Sequence, residues 1–442
     1  MPEQNIVGVD LGSTTFTTTV AALDRSGAAG YVGHASVPAL GLKNGAISDQ
    51  MALQKALGEA VEEARRLADA PISEIVVSTS ALVIEGQSRN VQILVDSAYP
   101  IYQPDVDRAL ATVMIQDSPG MQTIHRVVQG FAVNGEPVRN PVGRMGHTLE
   151  VWTRDFQAPS AFVEGLQLAA RGARAEIQAI VPSVVASAEA VIRPDERERG
   201  VIVVDIGGMS TEAALFVDGA LFDFRAINAG GLHMTHDLAM VLDIDQELAE
   251  EVKRRCGVGS LSRGRDLGID WGPRGLATIQ NQARSGNLSR DVPRAIAGAR
   301  YQQILFEVRE WVETVASGLH FYAGVVITGG ASQMPGVTEV ARDIFDMETR
   351  LGEMSGGGGF PAISDPCASA SIGLVKYCAA RATQAPAAGR GYLRTPAVAG
   401  AQPYGGNPYL GAASDAGRRP GRPWGRLIRD WIWGFVPSRS DA

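Results

Sequence analysis

The stretch IVGVDLGSTTFTTTV, residues 6–20, returns as VIVVDIGGMSTEAALF at residues 201–216, and this recurrence decides the fold. Each copy is an apolar run ending in an aspartate, a turn of small residues and a second run rich in β-branched and aliphatic side chains. That is the pattern of a buried strand, a hairpin turn and a second strand. Asp205 follows Asp10 by 195 residues. A third strand is predicted after each pair, over 30–39 and 220–226, and then a helix. A strand-rich module is therefore present twice, and two such halves are expected to face a shared cleft.

Between the copies, Leu53, Ala56, Leu57, Ala60, Val61 and Ala64 fall at helical spacing over 52–67, and residues 74–78 predict a strand after Pro71. The pattern then changes. Residues 84–162 predict several short strands around a helix near 104–115, which reads as an inserted subdomain. Helices are predicted over 161–171 and 184–192, followed by a charged turn over 193–200. Residues 232–321 read as mostly helical, 323–330 as a strand ending in Gly329-Gly330, and Pro335 as the opening of another helix. Beyond about Ala380 the composition shifts to Ala, Pro, Gly and Arg with few large aliphatics. Such a segment buries too little apolar surface to fold, so a flexible tether of about forty residues is expected.

A chain of 442 residues, at roughly 150 per domain, suggests about three domains. With 45% hydrophobic and 20% charged residues it is an ordinary globular sequence, and a net charge of -8 argues against a nucleic-acid partner held on a broad basic face. Cys256, Cys367 and Cys378 are too few for a disulfide framework and lack the paired spacing of a zinc site, which suits a reducing, cytoplasmic setting. The first residues carry no basic stretch, and the apolar run after them is broken by Asp10, so neither a signal peptide nor a membrane span is read there. His233, His236 and Asp237 lack a third histidine and are not read as a metal site. Gly-x-Ser-x-Gly, His-Glu-x-x-His and Walker sequences are absent, which leaves the hydrolase, zincin and P-loop classes without support.

The two turns carry the chemistry. Gly12, Ser13, Thr14 and Thr15 place small residues where backbone N–H groups and hydroxyls can surround phosphate oxygens, and Gly207, Gly208, Met209 and Ser210 offer the same from the opposite side. Asp10 and Asp205, each ending its strand, are positioned to hold hydrated Mg²⁺ through water. Gly329, Gly330 and Ala331 follow a strand in a turn without bulk, suited to a ribose or adenine or simply to helix entry. Glu250 and Lys253 share a helix face, either bracketing a purine and its ribose hydroxyls or forming a solvated ion pair.

Several stretches carry a family likeness: GHASVPALGLKNGAISD (33–49), VVQGFAVNGEPVRNPVGRMGHTLEV (127–151), INAGGLHMTHDLA (227–239), AEEVKRRCG (249–257), VVITGGASQMPGV (325–337) and DPCASASIGLVKY (365–377). With the paired turns they resemble the actin and Hsp70 ATPase superfamily and, within it, the FtsA family of bacterial division proteins. The resemblance implies an α/β fold of duplicated actin-like, ribonuclease H-like domains with an FtsA-type inserted subdomain, a disordered linker and a C-terminal amphipathic helix. It divides the chain into subdomain 1A (1–83 and 163–199), the insert 1C (84–162), 2A (200–227 and 323–380), helical 2B (228–322), a linker (381–419) and a membrane-targeting helix (420–437). It implies ATP and Mg²⁺ as ligands and adds Gly230 and Gly231 to the nucleotide site. The implied partners are the FtsZ C-terminal peptide, docked on 2B, other copies of the chain in a filament, anionic lipid and further division proteins. The setting is the cytoplasmic face of the membrane at the division site. Three departures bear on hydrolysis. Met209 stands where a third turn glycine is usual, Val181 where relatives often carry Glu, and Leu232 in place of Asp, so slow or absent ATP turnover is expected. Other readings are a pilus-assembly actin-like adaptor, or an ATPase or sugar kinase of the same superfamily.

At the far end, Trp424, Leu427, Ile428, Trp431, Ile432 and Phe435 recur at intervals of three and four and share one helix face, with Arg426 and Arg429 on the other side. From 416 to 442 six arginines oppose two aspartates. The apolar length is too short to span a bilayer, but aromatics with basic flanks suit a helix lying in the plane of an anionic membrane. Docking on the protein's own body is the other reading, which a long tether serves poorly.

Overall fold

The computed structural model describes residues 4–24, 28–113, 117–258, 291–354, 359–384 and 398–399. Its frame is two five-stranded sheets built to one plan. In the first, the order across the sheet is Glu176–Pro182, Glu74–Thr79, Gln4–Leu11, Thr15–Leu23, Ala29–Pro38. In the second it is Thr349–Leu351, Val325–Thr328, Val201–Ile206, Thr211–Val217, Ala220–Ile227. Each central strand pairs antiparallel with its hairpin partner and parallel with the strand on its other side, and the register matches: Asp10 lies beside Ser78, Asp205 beside Thr328. The duplication seen in the sequence is thus a duplication of topology.

The central strands are apolar because helices cover both faces of each sheet. Val9, Val201, Val203 and Ile206 are fully buried. Helix Gln50–Ala68 packs on the first sheet through Leu53, Ala56, Leu57, Ala60, Val61 and Ala64, the residues given by helical spacing. Asp49 caps it, accepting from the N–H groups of Met51 and Ala52, and Arg65 and Arg66 lie in the last turn, where cations favour the helix dipole.

Three elements differ from expectation. The charged turn is a short helix, Pro194–Arg199, started by proline in its first turn and pinned by Glu196, which accepts from the Arg193 N–H and pairs with Arg350. Pro335 precedes rather than opens its helix, Val337–Phe345, because Gly336 in the left-handed region forms the N-cap. The insert's strands are long: Glu85–Leu94, Met121–Val133 and Thr148–Pro159 form one antiparallel sheet beside helix Gln103–Thr112. The first alternates exposed and half-buried residues, with polar Gln87 and Arg89 at half-buried positions. The insert has its own apolar core around Ile101, Phe131, Leu149 and Val151.

Although the chain enters and leaves the insert from the first half, the insert leans on the second. Gln129 Nε2 donates to the carbonyls of Leu221 and Phe222, each at 2.9 Å, Arg154 pairs with Asp223 at 2.7 Å, and Phe156 meets Phe224 with ring centroids 4.7 Å apart. Edge strand Ala220–Ile227 is thereby covered. Among the described residues no helix is long and apolar enough to cross a membrane. Of the linker expected at 381–419, residues 381–384 continue helix Ser369–Gln384 and Val398–Ala399 pair with Met121–Val133; its remaining residues, the amphipathic sequence at 420–437 and residues 259–290 of the expected helical region lie outside the described residues.

Candidate functional site

A cleft opens where the two sheets meet, walled by the turns that follow Asp10 and Asp205. Gly12, Ser13, Thr14 and Thr15 line one side, Gly207, Gly208, Met209 and Ser210 the other, with Gly329 and Gly330 alongside. The turns touch. The Met209 N–H donates to Ser13 Oγ at 2.9 Å, and a Cβ on Gly208 would lie 2.5 Å from Thr14 Cγ2, so a side chain there would hold the walls apart. Gly329 has φ +86° and presses on Asp205 itself, its missing Cβ falling 2.3 Å from Oδ1.

Three acids converge here. Asp10 accepts from Ser78 Oγ at 2.7 Å and Ser183 Oγ at 3.1 Å, and Asp205 from Ser187 Oγ. Glu212, which lines the cleft and is almost fully buried, accepts from the N–H groups of Ala81 at 2.9 Å and Val184 at 3.2 Å. Burial pushes Asp10 up to about 6 against the pull of its two serines. Burial also raises Asp205 to about 7, with the charge of Asp10 adding to it, and Glu212 to about 8, with the charge of Asp205 adding. Desolvation and mutual repulsion resist three negative charges in one cleft, so a proton or a cation is favoured there. Among the described residues, no group of three or more acids, cysteines or histidines is arranged to enclose a metal directly. The residues suit outer contacts to a hydrated cation instead.

Glu212 was not among the expected site residues. The available signal was a lone acid in an otherwise apolar strand, directly opposite Asp205 in the hairpin register.

Gly230, Gly231, Glu250, Lys253 and Ala331 form a wall behind the second turn rather than its lining. The N–H groups of Gly231 and Leu232 donate to the carbonyls of Gly207 and Gly208 at 2.9 and 2.8 Å, so the start of helix Gly231–Leu242 fastens that turn. Lys253 Nζ reaches Gly231 O at 3.1 Å, Thr235 Oγ1 at 3.0 Å and Glu250 Oε2 at 2.6 Å. Lys253 is buried, so the pair is not a solvated one; the Lys253 ammonium beside it, with the Thr235 hydroxyl, outweighs burial and holds Glu250 below the usual carboxylate range. Ala331 packs against Gly231 from the third element. Val181 is buried at the end of its strand. His233 accepts from the Gly230 N–H through Nδ1, and Asp237 is held by Arg300 through two bonds, which gives both residues structural work.

Comparison with known proteins follows the same lines. The model for cell division protein FtsA matches residues 202–373, and that for the SHS2 domain inserted in FTSA matches residues 83–153. The chain is 30% identical over 382 residues to the cell division protein FtsA of Neisseria meningitidis serogroup B, covering 84% of this chain and 90% of that one. It is 29% identical over 385 residues to the Pseudomonas aeruginosa protein of the same name, covering 84% and 88%. Among solved structures, a PilM-PilN type IV pilus biogenesis complex aligns with a TM-score of 0.56 at 18% identity, over 87% of this chain and all of that one. That likeness extends to the fold alone.

Proposed function

The chain belongs to the FtsA family of cell-division proteins, and from that premise we propose that it is an actin-like ATP-binding adaptor that assembles on the membrane and tethers FtsZ there. The observation that carries this is the pair of acid-and-glycine turns meeting across one cleft. Its residues fit a magnesium nucleotide. Gly12, Ser13, Thr14 and Thr15 would hold phosphates from one side and Gly207, Gly208, Met209 and Ser210 from the other, while Asp10 and Asp205 would meet Mg²⁺ through water. Gly329 and Gly330, which line the cleft, would receive the adenosine, with Gly230, Gly231, Glu250, Lys253 and Ala331 backing that side from behind the second turn. Two buried hydroxyls beside this element, on Thr328 and Ser332, have no hydrogen-bond partner, which is consistent with a ligand supplying one.

Hydrolysis is expected to be slow. Val181 offers no polar group to orient water, and Met209 and Leu232 remove room and polarity. Nucleotide then acts as a conformational ligand. The helical region 228–322 would dock the FtsZ C-terminal peptide, the insert would contribute to contacts between copies and with other division proteins, and the helix at 420–437 would bind anionic lipid on the cytoplasmic face at the division site. One such helix dissociates readily, whereas a polymer presenting many stays bound, so assembly would govern anchoring. The sequence relatives favour this adaptor over its pilus-assembly counterpart.

Calorimetric titration of the full-length protein with ATP and Mg²⁺, followed by electron microscopy on anionic lipid monolayers with and without that nucleotide, tests the proposal. Uptake and nucleotide-dependent filaments on lipid are expected. Absence of adenine-nucleotide uptake by folded protein would overturn it.

A further inference from the structure

Strand Met121–Val133 has two sides to its backbone ladder. One is paired with Thr148–Pro159 along its length, and on the other Phe131, Ala132 and Val133 take Val138, Pro137 and Glu136. That leaves an outer edge from Met121 to Gly130. Among the described residues one strand meets it: Val398 lies parallel beside Arg126, and Ala399 beside Val127. This pair comes from the linker, whose composition gives it no core of its own.

The sequence around the pair suits an edge. In TPAVAG, residues 395–400, Pro396 biases Thr395 toward extended backbone and, lacking an N–H, stands before the paired residues rather than among them. Val398 is β-branched, a residue type favoured in strands. On the receiving strand the Arg126 side chain is turned to Asp155 and the Val113 carbonyl, so the edge offers backbone N–H and C=O groups, which accept an extended chain. What selects the linker is proximity. Tyr377 of the final helix, Ser369–Gln384, meets His125 with ring centroids 5.6 Å apart, and the helix ends about 10 Å further along its axis. Residues 385–397 reach up to about 45 Å when extended, so the chain can return to the strand it has just passed. Closing so short a loop has a modest entropic cost, and a tethered strand meets the edge at an effective concentration on the order of millimolar. An open edge is also a template for pairing with other chains, and the linker covers it.

We infer that the outer edge of Met121–Val133 is a strand-addition site and that its occupant is the chain's own linker at Val398–Ala399, which ties the tail to the insert. From Gly400 the link to the sequence at 420–437 then has a root-mean-square span of about 25 Å, against about 35 Å for a link free from Gln384 onward. The contact needs neither nucleotide nor lipid; only this consequence for reach rests on the membrane reading above.

Hydrogen exchange of the full-length protein in lipid-free buffer, read on a peptide spanning 121–130, tests it. Val398→Pro with Ala399→Pro removes both linker donors and leaves every residue of the receiving strand in place. Exchange of the outward-facing amides among residues 125–128 is expected to quicken roughly tenfold in that variant. It should keep the native rate in Val398→Ile, and in Ala412→Pro with Ala413→Pro, which adds two prolines farther along the linker. A native rate in the first variant overturns the inference, and so does equal quickening in the second proline pair. Protection that fades when the native protein is diluted would place the strand on a second copy and overturn the assignment to the chain's own linker.

Discussion

The backbone N–H of Met209 donates to the hydroxyl of Ser13, which joins the two glycine turns to one another. A ligand entering between them must replace this bond with bonds of its own. Ser13→Ala removes a hydroxyl that would otherwise meet a charged phosphate, an interaction worth about 1.5–3 kcal/mol. Titration calorimetry with ATP and Mg²⁺ should show affinity weakened by roughly 10- to 150-fold. An unchanged dissociation constant would move the phosphates away from this turn.

Met209 itself narrows the second turn. Met209→Gly restores room beside Gly208 and should raise the rate of phosphate release over that of the native protein, which is expected to stay below about one turnover per second, slow by the standards of working enzymes. A release assay on assembled protein compares the two directly. Faster native turnover would contradict the slow-hydrolysis expectation.

The three cleft acids make stability depend on pH. Burial raises Asp10, Asp205 and Glu212 to about 6, about 7 and about 8, above their ordinary values of 3.8, 3.8 and 4.5. A raised pKa means that the folded state keeps protons the unfolded chain has released. The stabilisation is therefore complete below the unfolded values and is lost as pH climbs through the folded ones. Without nucleotide, the native protein should lose stability relative to Glu212→Gln between about pH 4.5 and 8, by at most about 1.4 kcal/mol per pH unit. Denaturant unfolding of both proteins across that range measures the difference. Parallel curves would show that Glu212 does not titrate in the window.

The insert's seat on the second half should be measurable. Gln129→Ala leaves the buried carbonyls of Leu221 and Phe222 without their donor and is expected to cost about 1–3 kcal/mol. Arg126→Ala strands Asp155, which is fully buried and accepts two bonds from that guanidinium, and should cost about 3–5 kcal/mol. Arg126 and Asp155 both belong to the insert, so the second change reports the insert's own stability, and urea unfolding that shows no loss in Gln129→Ala would argue against a firmly docked insert.

For the tail, removal of residues 420–442 should abolish sedimentation with anionic liposomes. Binding by the full chain should weaken as salt rises, because arginines on the polar face contribute through screened attraction. Sedimentation unaffected by the truncation would place the lipid contact elsewhere.

Much of the frame was legible in the sequence. Repetition of an apolar run ending in Asp and a small-residue turn identified both halves and the turns they present, since that spacing is imposed by the hairpin itself. Helical periodicity gave the inner face of Gln50–Ala68. What local pattern could not supply was partnership across the chain. Glu212 joins the site only because its strand pairs with that of Asp205 and its carboxylate reaches the Ala81 and Val184 amides of the other half. Spacing along one helix left Lys253 open between a purine contact and a solvated ion pair, because it says nothing about Gly231 and Thr235, to which its ammonium donates. The insert's strands read as short because half-buried positions of Glu85–Leu94 carry polar residues such as Gln87 and Arg89, which weakens the apolar alternation.

Gln129 and Arg154 fix the insert to a half from which its chain neither starts nor ends. The insert also packs on the first half, its strand Met121–Val133 against Glu176–Pro182, so it spans the joint like a strap across both covers of a book. Pressure applied to the insert from outside would then lean on the spine of the whole body, which makes this added piece a handle rather than an ornament.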